Sequence, residues 1–308
     1  KMQTKFIAGL AASASVASGA SVRQLYQGNG STTWLENLRV RSNGNVLVTE
    51  IGPPANLLTF DPTQADPEAV VIQTFPSILG LSGITEVKPD VFVITGANTT
   101  GSNIADPPLN ATKVWLVDFN QGQGNEPLIE LIGEPVLPQV TDYNGLTTFN
   151  ETIILASATF QDTVVAMDIT TGAYWTVFDD PLMASINGIK ASDDGYLYWT
   201  ANSGLVRAPL YEDLTLGTAE TVYEGSYDDF AVSDRGFALS VNGTRYAYMA
   251  SNEDAVQQII FDDATGNVSS AAFIAQTTNA TEWGKGTACD FGRADWQKNK
   301  VYCTTGGS

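Results

Sequence analysis

The sequence predicts an all-β fold, a six-bladed β-propeller, on three observations: a hairpin pattern that recurs six times, β-rich runs with turn residues between the recurrences, and no stretch with a convincing 3.6-residue helical period. The pattern is clearest in Trp34 to Glu50, WLENLRVRSNGNVLVTE. Leu38, Val40, Val46 and Val48 fall on every second position on either side of Asn43-Gly44, a dipeptide that supplies the positive φ of a tight hairpin turn.

Five further hairpins follow in chain order. Ser82 to Thr95 turns at Pro89-Asp90, and Tyr143 to Ala156 is the third match. Ile186 to Thr200 turns at Asp194-Gly195, Asp228 to Ser240 at Arg235-Gly236, and Cys289 to Thr304 is the last and most degenerate. Runs such as Asn56 to Asp61, Lys113 to Asn120, Thr163 to Thr170, Gly204 to Pro209 and Val256 to Asp262 supply third strands, several ending in Asp with Pro or Thr-Gly soon after. Ala69 to Thr74, Tyr174 to Phe178 and Ala219 to Tyr223 supply fourth strands. Radial repetition of four-stranded units leaves few exposed sheet edges. The last unit has only two strands of its own, so Ser21 to Gln27, with part of the segment before it, is expected to close it. No linker interrupts residues 21–308, which read as a single domain.

Charge and composition exclude several function classes. The chain of 308 residues carries 15 basic and 34 acidic residues, a net charge of −19, with no basic cluster to hold phosphate. Nucleic acid and anionic membrane surfaces are therefore not expected partners. There is no histidine, which removes the Ser-His-Asp triad, the Cys-His pair and every His-containing zinc site. Chemistry is left to carboxylates, Lys, Tyr, amides, a metal or shape.

Residues 1–20 look like a secretory leader: Lys5, an apolar run from Phe6 to about Val16, and small residues from Ala17 to Ala20. N-glycosylation sequons at Asn29, Asn98, Asn110, Asn150, Asn242, Asn267 and Asn279 agree with a secretory or extracellular location. The only cysteines, Cys289 and Cys303, are expected to pair in an oxidising compartment, the alternative being two buried thiols.

Superposing the hairpins brings Glu36, Gly83, Asn144, Asn187, Asp229 and Cys289 into one column, where each innermost strand begins. Four of these six offer oxygen donors. Converging on a central channel, Glu36, Asn144, Asn187 and Asp229 would suit a hard cation such as Ca²⁺. The alternative is that Asn and Asp tie down their own turns, as Asn144-Gly145 and Asn187-Gly188 suggest. Trp34, Tyr143, Tyr227, Phe230 and Trp283 lie at the same level and either wall a substrate pocket or pack between blades. Arg39, Arg41 and Lys190 read as solvated or paired.

The strings WLENLRVRSNGNVLVTE, INGIKASDDGYLYWT, GSYDDFAVSDRG and ACDFGRADWQKNKVYCTTGG resemble the fungal, secreted branch of the senescence marker protein/gluconolactonase-like β-propellers, over essentially the whole chain after the leader. In gluconolactonase-like enzymes a divalent cation sits on a Glu, two Asn and an Asp that is also the general base. The resemblance implies these roles for Glu36, Asn144, Asn187 and Asp229; the family's substrate-binding Arg and lid residues find no counterpart. The branch is also similar to hetero-Diels–Alderases that join a tropolone-derived quinone methide to a sesquiterpene such as humulenol. That resemblance implies small apolar natural-product substrates and no required cofactor, with Glu36, Asn187 and Asp229 as the catalytic candidates. A lactonase using a cation, and a binding propeller without activity, are the competing expectations.

Overall fold

The Asn43-Gly44 turn forms as its dipeptide demands. Gly44 has φ +91°, its N–H donates to the Arg41 carbonyl at 2.9 Å, and the strands Trp34–Val40 and Val46–Ile51 pair with Leu38 opposite Val48 and Val40 opposite Val46. The computed structural model describes residues 5–8, 22–28, 34–123, 126–134, 142–232, 240–241, 244–252, 255–262, 265–276 and 285–306. Among these, strands and three short 3₁₀ turns make up the regular structure, with no α-helix.

Every strand pairing is antiparallel, and each expected third and fourth strand is present. Residues 146–179 and 189–223 each form a four-stranded sheet in chain order. Residues 34–133 form one eight-stranded sheet, whose halves meet at a single residue pair, Ile51 with Gly80. Tyr227–Ala231, Thr244–Ser251, Ala255–Phe261 and Val268–Gln276 form another sheet, with Ser240–Val241 beside it. The last sheet joins Gly286–Phe291 and Val301–Thr305 to strands from the other end of the chain.

In the last sheet the strand next to Val301–Thr305 is Lys5–Ala8, from the leader-like stretch, and Arg23–Gln27 pairs one position further out; these are the two segments expected there. The rest of that stretch lies outside the described residues. In the fifth hairpin, the expected turn at Arg235-Gly236 also lies outside them, and Tyr227–Ala231 pairs with Thr244–Ser251, placing Phe230 opposite Met249. Two short apolar runs competed for that strand, and the longer one, with Tyr246, Tyr248 and Met249 buried, provides it.

Among the described residues the core is divided among six clusters of buried side chains, each drawing on successive sets of strands. One combines Leu155 and Val164 with Ile189 and Leu197; another combines Leu35 and Val48 with Ala288 and Tyr302, from the two ends of the chain. Apolar burial between neighbouring sheets, at about 25 cal/mol per Å², therefore holds the sheets face to face.

A repeated hydroxyl ties those faces together. Thr49 Oγ1 accepts the Asn37 N–H at 3.0 Å and donates to the Ser82 carbonyl at 2.6 Å. Thr95 accepts from Gly83 N–H and donates to the Tyr143 carbonyl. Ser157 accepts from Gly145 N–H and donates to the Asn187 carbonyl; Thr200 accepts from Gly188 N–H and donates to the Asp228 carbonyl. Thr304 donates to the Glu36 carbonyl at 3.0 Å. Each hydroxyl on a second strand thus fixes the start of the first strand of the next set, where the functional side chains stand.

Candidate functional site

A cavity of about 360 Å³ collects Trp34, Glu36, Asn144, Asn187 and Asp228 from the starts of four innermost strands, together with Asp142 and Lys285. Ile51, Ile104, Phe160, Ala201 and Tyr227 contribute apolar surface around it. The lining is about evenly polar and apolar, with carboxyls, amides and an ammonium converging, a mixture suited to a small molecule that carries both kinds of surface.

The polar groups form a bonded set. The Trp34 indole N–H donates to Glu36 Oε2 at 2.5 Å, and the Asn144 side chain also hydrogen-bonds Glu36. Asn187 Nδ2 donates to Asp228 Oδ1. Asp142 accepts from Ser82 Oγ and Thr99 Oγ1, both at 2.9 Å. With their amide N–H groups turned to carboxylates, Asn144 and Asn187 leave their Oδ1 atoms buried without a hydrogen-bond partner.

Burial and crowding of like charges shape the acidity of the site. Desolvation, with the charges of Asp142 and Asp229, pushes Glu36 up to about 7, against the opposing hydrogen bonds from Trp34 and Asn144. Desolvation and the charges of Glu36 and Asp229 raise Asp228 well above the usual carboxylate range, partly opposed by Asn187 and Lys285. Burial raises Asp142 as well, against the Thr99 and Ser82 hydrogen bonds. The pocket therefore keeps at least one carboxyl proton near neutral pH, in a place where an uncharged carboxyl can donate.

Of the expected site residues, Trp34, Glu36, Asn144, Asn187 and Tyr227 line this cavity. Asp229 does not. Its side chain is 1% exposed and paired with Lys190, whose Nζ lies 3.0 Å from both carboxylate oxygens. The acid in the pocket is Asp228. Phe230 and Tyr143 are also displaced from their expected place: both are core residues, Phe230 fully buried near Lys190 and Tyr143 packed among Val93, Leu146 and Val165. Trp283 lies outside the described residues. Arg39 pairs with Asp290 and Arg41 with Asp90.

The register error has a readable cause. The hydroxyl clamps align Asn37, Gly83, Gly145 and Gly188, so the residues one place earlier are Glu36, Ser82, Asn144 and Asn187. Thr200, bonded to the Asp228 carbonyl, adds Asp228 to that row. Aligning on second-strand apolar runs put Gly83 and Asp229 there instead, and a one-residue slip in a strand exchanges its faces. The Ser or Thr at Thr49, Thr95, Ser157, Thr200 and Thr304 was the signal that sets the register. Asp142 and Lys285 were missed because they stand outside any hairpin motif.

Cys289 and Cys303 are bonded, directly opposite one another on paired strands. Asn110, Asn150 and Asn267 are exposed and Asn98 is half-buried, while Asn29, Asn242 and Asn279 lie outside the described residues. No helix among the described residues is long and apolar enough to cross a membrane.

The chain is 26% identical over 310 residues to a "Putative hetero-Diels-Alderase" of Phoma sp, covering 88% of this chain and 83% of that protein. It is 25% identical over 239 residues to a "Putative hetero-Diels-Alderase" of Sarocladium schorii, covering 65% of this chain and 58% of that protein. The sequence relatives are thus fungal proteins that carry the hetero-Diels–Alderase name. The chain spans less than two thirds of the Sarocladium schorii relative's length.

No protein-family model matches the chain. Among solved structures, streptogramin B lyase superposes with a TM-score of 0.55 at 12% identity, over 93% of this chain and 83% of that one. A chain from a nidogen/laminin complex gives 0.57 at 11%, over 87% and 92%. The fold is all-β with propellers as its neighbours, and at such identities the likeness concerns the fold alone.

Proposed function

We propose that this chain is a fungal natural-product enzyme that catalyses a hetero-Diels–Alder cycloaddition between a quinone methide of the tropolone type and a sesquiterpene alkene such as humulenol. The observation that carries the reading is Glu36: a buried carboxyl whose desolvation pushes it up to about 7, on the wall of a cavity that Ile51, Ile104 and Phe160 also line. In the cycloaddition one C–O and one C–C bond form and nothing leaves, so no base or nucleophile is needed. Negative charge grows on the heterodiene oxygen as the alkene donates to it. A donor fixed in a buried site stabilises that charge without reorganising. Glu36, with Asp228 as its partner acid and Asn187 holding Asp228, supplies the donor; the apolar residues of the lining hold the alkene within reach. Both curated relatives carry the hetero-Diels–Alderase name, which supports the same class.

The reading includes the architecture. The halves of the eight-stranded sheet, joined by one residue pair, count as two units, giving six around a channel in a single domain that includes the strand Lys5–Ala8 as well as residues 21–308. The six core clusters support that count. The disulfide and the exposed sequons support passage through the secretory pathway.

The test is incubation of the purified protein with a quinone-methide precursor and a macrocyclic C15 alkene. An increased rate and an altered product ratio are expected, both lost in Glu36→Leu, which removes the donor; the uncatalysed ratio with wild-type protein overturns the reading.

A second reading, a cation-dependent lactonase or esterase, is favoured by the unpartnered Oδ1 atoms of Asn144 and Asn187 beside two carboxylates. Among the described residues no three Asp, Glu, Cys or His side chains could hold a metal, so a cation would need these amide oxygens together with Glu36 and Asp228. Two carboxylates and two amide carbonyls fit a hard divalent ion such as Ca²⁺. The ion would polarise the ester carbonyl, while Asp228 would orient a water and take its proton.

A further inference from the structure

Trp34 and Gly306 come from opposite ends of the described chain and meet at Glu36. The indole N–H of Trp34 is 2.5 Å from Glu36 Oε2. Behind the ring lies Gly306, just after the strand Val301–Thr305: a Cβ built there would stand 2.5 Å from Trp34 Cε2 and 2.7 Å from Cζ2, so only glycine leaves room for the indole in this place. The N–H of Gly306 donates to the carbonyl of Lys285 at 3.0 Å, so the same residue also holds the backbone of Lys285, which lines the pocket.

We propose that Trp34 is a positioning residue for Glu36, seated by Gly306, and that its indole N–H fixes the plane of the carboxyl that faces the ligand. The argument is geometric. A carboxyl on a two-carbon stem samples several rotamers unless both its body and its head are held, and a site loses rate steeply when its donor strays from the productive pose. The Glu36 backbone is held through its carbonyl by Thr304 Oγ1 at 3.0 Å, and its head by Trp34. Thr304 and Gly306 lie two residues apart in the last strand and its continuation, so one segment sets backbone and head together. The indole N–H is a donor only, so the Glu36 oxygen it meets is fixed as the acceptor and the other oxygen is left for the ligand.

This assignment rests on the reading of Glu36 as the group that faces the ligand, and its test needs no substrate. The indole N–H of Trp34 is followed by ¹H–¹⁵N NMR in protein labelled at tryptophan, with Trp34→Phe identifying its resonance. A downfield resonance that exchanges slowly with water is expected in wild type; in Glu36→Leu, which removes the acceptor, and in Gly306→Ala, which displaces the ring, it is expected to move upfield and exchange on the order of tenfold faster, with unchanged far-ultraviolet circular dichroism. A resonance that Glu36→Leu leaves unmoved overturns the bond, and one that Gly306→Ala leaves unmoved overturns the seating. Because the spectrum is read without turnover, a missing cycloaddition activity leaves this result standing, and an unmoved resonance leaves the activity to be judged by its own assay.

Discussion

Asn187 and Asp228 are bonded to one another across two neighbouring sets of strands, the amide N–H of the first donating to the carboxylate of the second, while Asp229, one residue on, turns away to Lys190. The adjacent acids therefore stand in opposite environments. Asp229 is a charge matched by a cation in the dry interior; Asp228 is a carboxyl at the pocket wall that burial and the neighbouring acids hold toward its protonated form, with Lys285 as the opposing influence.

The first prediction separates them. Asp229→Asn leaves the Lys190 ammonium buried without its partner and is expected to destabilise the fold by about 3–5 kcal/mol. Asp228→Asn removes a crowded carboxylate and is expected to leave stability unchanged or improved, while lowering the cycloaddition rate. Thermal unfolding and product formation, measured on both variants, check this; equal stability losses would show that the two acids share one environment.

How much of this was legible follows the periodicity of strands. Alternation and turn dipeptides located the strands around Leu38 and Val48, Ile84 and Ile94, and Ile189 and Trp199, because burying one face forces a two-residue period that the sequence must write out. Glu36, Asn144 and Asn187 were legible for the same reason. Asp228 was not, since an Asp-Asp pair satisfies either register and only the Thr200 hydroxyl, bonded to the Asp228 carbonyl, decides between them. Asp142 could not be read from any repeat: it owes its place to Ser82 and Thr99, which are distant in sequence. Tyr143 and Phe230 were aromatic at the right level, but level along the axis does not say whether a ring faces the pocket or the seam between sheets.

The second prediction concerns pH. The folded-state pKa of Glu36 is raised from its ordinary 4.5 to about 7, so folding favours its protonated form. Its contribution to stability is fully present below the unfolded value and is lost as pH rises through about 7. Glu36→Gln, which cannot ionise, is expected to gain stability over wild type by roughly 1–3 kcal/mol above about pH 8, and to show little difference near pH 4. The cycloaddition rate of wild type should fall over the same interval. Denaturant titrations at several pH values check the sign; a wild-type advantage at high pH would rule out a crowded, buried Glu36.

The third concerns the hydroxyl clamps. Ser157→Ala leaves the Gly145 N–H and the Asn187 carbonyl without the group that joins them, and Thr200→Val does the same to Gly188 and Asp228. Each is expected to cost about 1–3 kcal/mol, because buried peptide groups lose a partner without gaining water. Activity should fall with stability in both, and in Thr49→Val as well, whose clamp holds the Asn37 N–H beside Glu36 and ends on the Ser82 carbonyl. Unfolding midpoints and initial rates on the three variants test this; a wild-type rate in any of them would show that its clamp does not position the pocket.

The last prediction decides between the two chemistries proposed for the pocket. If Glu36 acts as a proton-bearing donor, a chelator leaves the product ratio of the cycloaddition unchanged, and Ca²⁺ competes with the proton, slowing the reaction as it draws Glu36 and Asp228 into the ionised state. If the pocket is a cation centre, Ca²⁺ relieves the repulsion among the carboxylates and fills the empty valence of Asn144 and Asn187 Oδ1, so it raises the unfolding temperature and supports ester hydrolysis that chelation abolishes. Asn144→Leu divides the outcomes further. It removes an amide oxygen that only a cation needs, and with it a hydrogen bond that lowers the Glu36 pKa. Under the donor chemistry the variant keeps cycloaddition and extends it to higher pH; under the cation chemistry it loses both Ca²⁺ stabilisation and hydrolysis. Rates measured across pH with and without Ca²⁺, on wild type and this variant, distinguish the two.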